Sequence, residues 1–398
     1  MTAPTPIEEG KRRRRQLRPL YAAGFVTAFG AHAVAANLGG YATGHHASLL
    51  EVGILLALYD GAEVVLKPAF GVLADRIGAR PVLIVGLIGF ALASAAFVLA
   101  GEPDALGVAR LAQGAAAAAF SPAASAMVAA LGGQQGRGRA FGGYGAAKGL
   151  GYVAGPVVGG GLVVVGGYNL LFAVMSVLAV AVAASVTLVA APAVPTTPRS
   201  RQTVVGLVRR FATTEFVRPV VALAGATAAL SAAVGFLPVV GARHHLGPLV
   251  TGGAVSVLAI IAALVQPRAG RGLDAGRLAA ADGMFFGLAA CTLGLVLAVV
   301  LPAAAGLPFA AVLVGCGVGV VTPLGFAELA RNAPQGQAGT TMGAAEVGRE
   351  LGDAGGPLVV GAIGAFSLTA GFIGLSVVLA LAAGNVRVRR RPSAVKGA

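Results

Sequence analysis

Twelve apolar runs, each about twenty residues long and bounded by Gly, Pro or charge, constrain any fold of this 398-residue chain. They fall at about 19–40, 49–70, 82–100, 106–131, 142–165 and 168–190, then at about 219–241, 249–266, 281–301, 307–329, 340–364 and 367–386. About 20 predominantly apolar residues in a helix cross the hydrocarbon core of a bilayer. The chain is 57% apolar and 11% charged, against about 45–50% and about 25% in soluble domains. No single water-soluble core buries that much apolar surface, so a soluble enzyme is excluded. The reading is an all-α membrane protein with 12 transmembrane helices.

The net charge of +14 is a matter of topology. Lys11 with Arg12 to Arg15, Arg76 and Arg80, Arg137 and Arg139, the linker arginines Arg199, Arg201, Arg209, Arg210 and Arg218, then Arg268, Arg271, Arg277 and Arg331, and the tail from Arg387 to Lys396 all fall on one side of alternating spans. The short loops on the other side carry only Arg243. The positive-inside rule then makes both termini and the 191–218 linker cytoplasmic in a multi-pass inner-membrane protein. Nucleic acid is not an expected partner; the lipid bilayer is. The first run follows a basic stretch and holds Ala31-His32-Ala33, a loose mimic of a signal-peptidase site, but it reads as the first span. Cys291 and Cys316 lie inside apolar runs, which rules out a disulfide framework or a Cys-based metal site. No phosphate-binding loop of the G-x-x-x-x-G-K-[ST] type occurs. His45-His46 and His244-His245 are outer-loop pairs, with no metal expected on them. No cofactor is expected, and the energy source is a proton gradient.

Pro192, Pro195 and Pro198 divide the spans six and six. The expected layout is a basic tail (1–18), a six-helix bundle (19–190), a linker (191–218), a second six-helix bundle (219–386) and a basic tail (387–398). The halves resemble each other. Gly145–Gly160 aligns with Glu346–Gly361 at an offset of 201, matching Leu150, Gly151, Gly155, Pro156 and Gly160 to Leu351, Gly352, Gly356, Pro357 and Gly361, and Lys148 to Arg349. At an offset of 199, Pro68, Gly71 and Asp75 match Pro267, Gly270 and Asp274. Two parallel six-span repeats are the build of a rocking, alternating-access carrier.

Three motifs carry a family resemblance. Gly71 to Arg80 reads GVLADRIGAR, Arg110 to Gly114 reads RLAQG, and Gly151 to Gly160 reads GYVAGPVVGG. They resemble, in order, the loop 2–3 motif, the R-x-x-Q-G element and the span 5 antiporter motif of the major facilitator superfamily, and the whole is similar to its 12-span drug/proton antiporter group. The resemblance implies two pseudo-symmetric six-helix bundles. It implies a conformational role for Gly71, Asp75, Arg76, Gly78 and Arg80, with Asp75 meeting amides at the start of span 11. In span 5, Gly151, Gly155 and Gly159 recur at i+4 and offer a smooth face for close packing, while Pro156 favours a kink; this surface is expected at the domain boundary. Glu328 is expected to meet Arg268, Arg271 or Arg277.

Charged groups at mid-bilayer cost about 2.5–3.5 kcal/mol each, so they default to function. Asp60, Glu63 and Lys67 share one face of span 2, within about 60° of arc. Glu346, Arg349, Glu350 and Asp353 share one face of span 11, within about 100°. Neither set repeats: Asp60 and Glu63 align with Ala259 and Ala262. The resemblance places spans 2 and 11 side by side, so the two faces form one network. Asp60 and Glu63, then Glu350 and Asp353, with His32, are the proton-coupling candidates. Lys67, Arg349, Glu346, Arg110 and Lys148 are their charged companions, with Glu346 structural.

By the same resemblance, Phe25, Phe29, Asn37, Gln113, Phe120, Phe236 and Phe326 are candidates for an apolar, aromatic substrate cavity. The function expected is secondary active, proton-coupled export of lipophilic or amphiphilic organic compounds such as drugs or natural products, by a monomer. Proton-coupled uptake of a small solute and a lipid or lysolipid flippase are the competing readings. No catalytic constellation converges at one depth, so the chain is not an enzyme.

Overall fold

The computed structural model describes residues 6–44, 49–99, 103–190, 212–246, 248–364 and 366–387. Within them the helices are α1 (Pro6–Gly44), α2 (Leu49–Ile77) and α3 (Ala79–Leu99), then a long helical stretch, Pro103–Thr187. That stretch is broken at Gly133 (φ 62°) and at Gly166–Gly167 (φ −145° and 71°). We treat it as α4 (103–132), α5 (134–165) and α6 (168–187). There follow α7 (Thr214–Arg243), α8 (Pro248–Asp274), α9 (Ala280–Val300), α10 (Ala303–Asn332), α11 (Ala338–Gly364) and α12 (Leu368–Arg387).

The described residues thus form twelve helical segments, in the order of the apolar runs. Eight helical stretches are long and apolar enough to cross a membrane, one of them, Gly136–Thr187, containing both α5 and α6. The ones that fail that measure are α1, α2 and α11, which carry the basic N-terminal run and the two charged faces. Residues such as Val65, Val164 and Leu381 stand 71–86% exposed on helix surfaces, as apolar side chains facing hydrocarbon do.

Buried side chains gather into two clusters. The first rests on Phe90, Phe97, Phe141 and Phe172 of α3, α5 and α6, and reaches Leu223, Phe326 and Met342 of α7, α10 and α11. The second is built from α7 to α12 around Leu288, Leu295, Phe372 and Leu379.

Small residues set how closely the helices approach. A Cβ on Gly151 would stand 2.5 Å from the Phe25 carbonyl oxygen, and one on Gly155 2.8 Å from that of Phe29. The repeat does the same: a Cβ on Gly352 or Gly356 would stand 2.1 or 2.2 Å from the carbonyl oxygens of Ala224 and Ala228. The smooth face of α5 therefore packs on α1, within the first six segments, and not across to the second six. The expectation that it forms the boundary is corrected, because α5 turns a different face, at Gly138 and Gly142, toward α8. The chain also stays helical through Pro156.

Replacing Gly352 by valine is expected to push α7 and α11 apart and to destabilise the protein by about 1–3 kcal/mol. The check is the thermal unfolding midpoint in detergent; an unchanged midpoint contradicts the packing.

Candidate functional site

At the end of the molecule that carries the basic loops, the two sets of six helices touch backbone to backbone along two seams. In one, α2 meets α11: a Cβ on Gly71 would fall 2.6 Å from the Gly339 carbonyl oxygen. In the other, α5 meets α8: a Cβ on Gly138 would fall 2.4 Å from that of Gly270. Each seam is fastened by a carboxylate. Asp75 accepts hydrogen bonds from the Gly339 and Thr340 amides, both 2.7 Å, and from the Thr340 hydroxyl, 2.6 Å. Asp274 accepts from the Gly138 and Arg139 amides, both 2.8 Å. Asp75 thus occupies orphan amides at the positive dipole end of α11, and Asp274 bonds amides near the start of α5, each in the opposite set.

Asp274 makes a cross-seam contact that its sequence position alone did not single out. Its signal was present in the offset of 199 that pairs it with Asp75. Between α2 and α3, Gly78 takes φ 99°, a conformation that only glycine adopts without strain, which explains the glycine there. Arg76 is exposed beside Asp75, and Arg80 donates to the Thr187 carbonyl at the end of α6.

Replacing Asp75 by alanine removes three charge-assisted bonds, and replacing Asp274 removes two. We expect Asp75→Ala and Asp274→Ala each to weaken the closed state by about 1–2 kcal/mol, as loss of an N-cap does. A cysteine introduced at Ala74, 4% exposed beside Gly339 in the α2–α11 seam, would then react faster with a water-soluble maleimide. Equal labelling in parent and variant contradicts the role.

Beyond the seams lies a cavity of about 200 Å³, lined by charge. On α2, Lys67 is 1% exposed and donates to Glu63 (3.0 Å) and to Glu350 of α11 (2.9 Å). Arg349 pairs with its neighbour Glu350 and with Glu346 at 3.0 Å. Lys148 of α5 lies 3.7 Å from Glu346 and donates to Ser121 at 3.4 Å. These six groups form one ladder across three helices, three acids against three bases. It is neutral, as buried charge must be to persist.

Asp60, Asp353 and Arg110 also line the cavity. Among the described residues, no basic nitrogen lies within 4.0 Å of either aspartate. Arg110, 2% exposed, lies over the Tyr59 ring at 4.3 Å and donates to Gln113 at 2.8 Å. Two acids against one base leave this part of the cavity one negative charge in excess when all are ionised. His32 lines the wall, with Nδ1 3.0 Å from the Ala28 carbonyl and its ring edge-on to Tyr152 at 4.3 Å. Tyr59, Tyr152, Thr27 and Ser121 complete the wall near these groups. The two tyrosines went unread because nothing in their spacing separates them from packing aromatics.

Of the expected aromatic cavity only Phe120 reaches this wall. The rest is corrected. Phe25 stacks on Phe29 at 5.7 Å, and Phe29 is 3% exposed in the core. Phe326 stacks on Phe141 at 5.7 Å, and Phe236 faces Gly361. Gln113 is fully buried between Arg110 and Ser94, and Asn37 donates back to Ala33 at 2.8 Å. None of these six side chains lines the cavity. Glu328 likewise takes Arg331 and Asn332 on its own helix instead of the α8 arginines. His45 and His46, the linker arginines up to Arg210 and the tail beyond Arg387 lie outside the described residues.

The α2–α11 seam is charged where its counterpart is neutral. At the offset of 199, Lys67 corresponds to Gln266, and at 201, Glu346 and Glu350 correspond to Gly145 and Gly149. Gln266 sits on those two glycines, with its Nε2 3.7 Å from where a Cβ of Gly149 would be. The two seams therefore share one geometry, but at these matched positions only the α2–α11 seam is charged.

Comparison with known proteins identifies the family. The model of the Major Facilitator Superfamily matches residues 20–357. The chain belongs to the Major Facilitator Superfamily. Among curated members, it is similar to the class B tetracycline resistance protein of Escherichia coli, 39% identical over 108 residues, or 27% of each chain. It is also similar to the puromycin resistance protein of Streptomyces alboniger, 45% identical over 91 residues, or 23% of this chain and 18% of that one. The matched stretch thus spans about a quarter or less of these relatives' length. Among solved superfamily structures, the human organic anion transporter MFSD10 (TETRAN) superposes with a TM-score of 0.79 over 94% of this chain and 99% of that one, at 18% identity. As a superfamily member with several helices long and apolar enough to cross a bilayer, the chain is a multi-pass membrane protein.

Proposed function

We propose that the protein exports lipophilic or amphiphilic organic compounds in exchange for protons, by alternating access, as a monomer in the inner membrane with both termini cytoplasmic. The observation that carries this reading is the division of the cavity charge. A neutral ladder ties α2 to α11, while Asp60 and Asp353 lie outside it with one negative charge in excess. A carboxylate in such a place takes up a proton when it is desolvated and loses it when it is wetted or meets a cation. The 19–190 and 219–386 bundles rock about the seams, and the Asp75 and Asp274 latches hold the cytoplasmic end shut in one state. Partial likeness to tetracycline and puromycin resistance proteins supports a drug-like substrate, and the positive-inside pattern supports the orientation.

The test uses purified protein in liposomes with a pH-sensitive dye inside. An imposed gradient is challenged with a panel of lipophilic cations, neutral antibiotics and anions. The proposal expects substrate-dependent proton flux, with labelled substrate moving the opposite way. Substrate and proton moving the same way establishes uptake instead. Movement of labelled lysolipid, without proton flux from any drug in the panel, establishes a flippase.

A further inference from the structure

A second crevice, of about 640 Å³, opens at the basic end between the start of α1 and the end of α6. Its rim carries Arg12, Arg15 and Arg18, which lie within about 120° of arc on α1. Its lining also holds the apolar Pro19, Ala22, Leu188 and Val189, with Gln16 and Ser185. Among the residues whose side chains are described, no carboxylate lines it. Nearby polar groups already have structural work. Arg13 donates to the Gly132 carbonyl, Gln16 accepts from the Ala190 amide, and Arg80 donates to the Thr187 carbonyl. Among the residues whose side chains are described, which leaves out Glu8 and Glu9, no acid lies within 4.0 Å of these three arginines.

We infer that this crevice binds the phosphate headgroup of an anionic phospholipid. Guanidinium forks match phosphate oxygens in pairs. A soluble phosphate needs only the rim. The crevice adds apolar lining, with Leu188, just past the end of α6, 83% exposed. The rim also sits just where the first apolar run begins, at residue 19. Guanidinium groups next to apolar side chains at the edge of a spanning run match the adjoining headgroup and chains of a phospholipid. A basic pocket between spanning helices at a membrane face is a chemical fit for such a headgroup. A lipid seated there bridges α1 and α6, away from the transport cavity.

The test is native mass spectrometry of the delipidated full chain, titrated separately with phosphatidylglycerol, cardiolipin, phosphatidylcholine and inorganic phosphate. The variant carries Arg12→Gln, Arg15→Gln and Arg18→Gln together. A charge-matched control carries Arg268→Gln, Arg271→Gln and Arg277→Gln, all exposed at the same end. Each rim arginine is expected to contribute about fivefold to binding, and the triple variant to lose about a hundredfold. The control and the phosphatidylcholine titration are expected to be unaffected. Undiminished binding of anionic lipid by the rim variant, or an equal loss in the control, overturns the site. Inorganic phosphate binding as tightly as the lipids overturns the lipid assignment in favour of a soluble anion. Gel filtration checks folding; should the triple variant misfold, the three single variants are read for their fivefold losses.

Discussion

Replacing Lys67 by methionine is expected to abolish transport and to destabilise the protein by about 3–5 kcal/mol, the loss found when one partner of a buried ion pair is removed. Lys67 is 1% exposed and bridges Glu63 and Glu350 at 3.0 and 2.9 Å. Without it the ladder holds three acids against two bases, and two buried carboxylates lose a shared donor. The deficit is expected to shrink at acidic pH, where protonation removes the unpaired charge. Combining Lys67→Met with Glu350→Gln should recover part of the stability, because the charge count is again even. Thermal unfolding across pH measures the first effect, and a double-mutant cycle the second. Equal stability of Lys67→Met and parent at neutral pH would refute the ladder.

Asp60→Asn is expected to behave in the opposite way, leaving stability nearly unchanged and removing coupling. Asp60 is exposed to the cavity and lies outside the ladder, and changes at such sites usually stay within about 0.5 kcal/mol. One proton moved down a pH difference of one unit supplies about 1.4 kcal/mol, or about a tenfold substrate ratio. The variant, fixed in a neutral form, cannot draw on that energy. Substrate exchange at equal pH should persist, while accumulation driven by the pH gradient falls to none. Liposome flux with and without the gradient separates the two. Gradient-driven accumulation equal to the parent's excludes Asp60 as a carrier.

Much of the architecture was legible because a bilayer imposes simple rules. Twelve apolar lengths, basic loops on alternate sides and two aligned halves need no tertiary information. The charges of α2 and α11 stood out because hydrocarbon makes such residues rare. Their bonding was not legible. Nothing in the sequence states that Lys67 reaches Glu350 across 283 positions, or that Glu328 stays on its own helix with Arg331. The aromatic side chains were misplaced for a related reason. Phe29 and Phe326 sit on the spans expected at the cavity, but whether a side chain faces cavity, core or lipid depends on a rotation of the whole helix. Asp274 was overlooked although its offset from Asp75 was recognised, because the equivalence was read as ancestry and not as a second latch.

The account rests on a proton leaving Asp60 or Asp353 when substrate arrives. The most direct measurement is proton release on mixing substrate with purified protein in weakly buffered detergent solution, followed with a pH dye. The account predicts release in the parent and none in the Asp60→Asn, Asp353→Asn double variant, while that variant still binds substrate. Undiminished release from the double variant would contradict it and place the proton on the ladder or elsewhere.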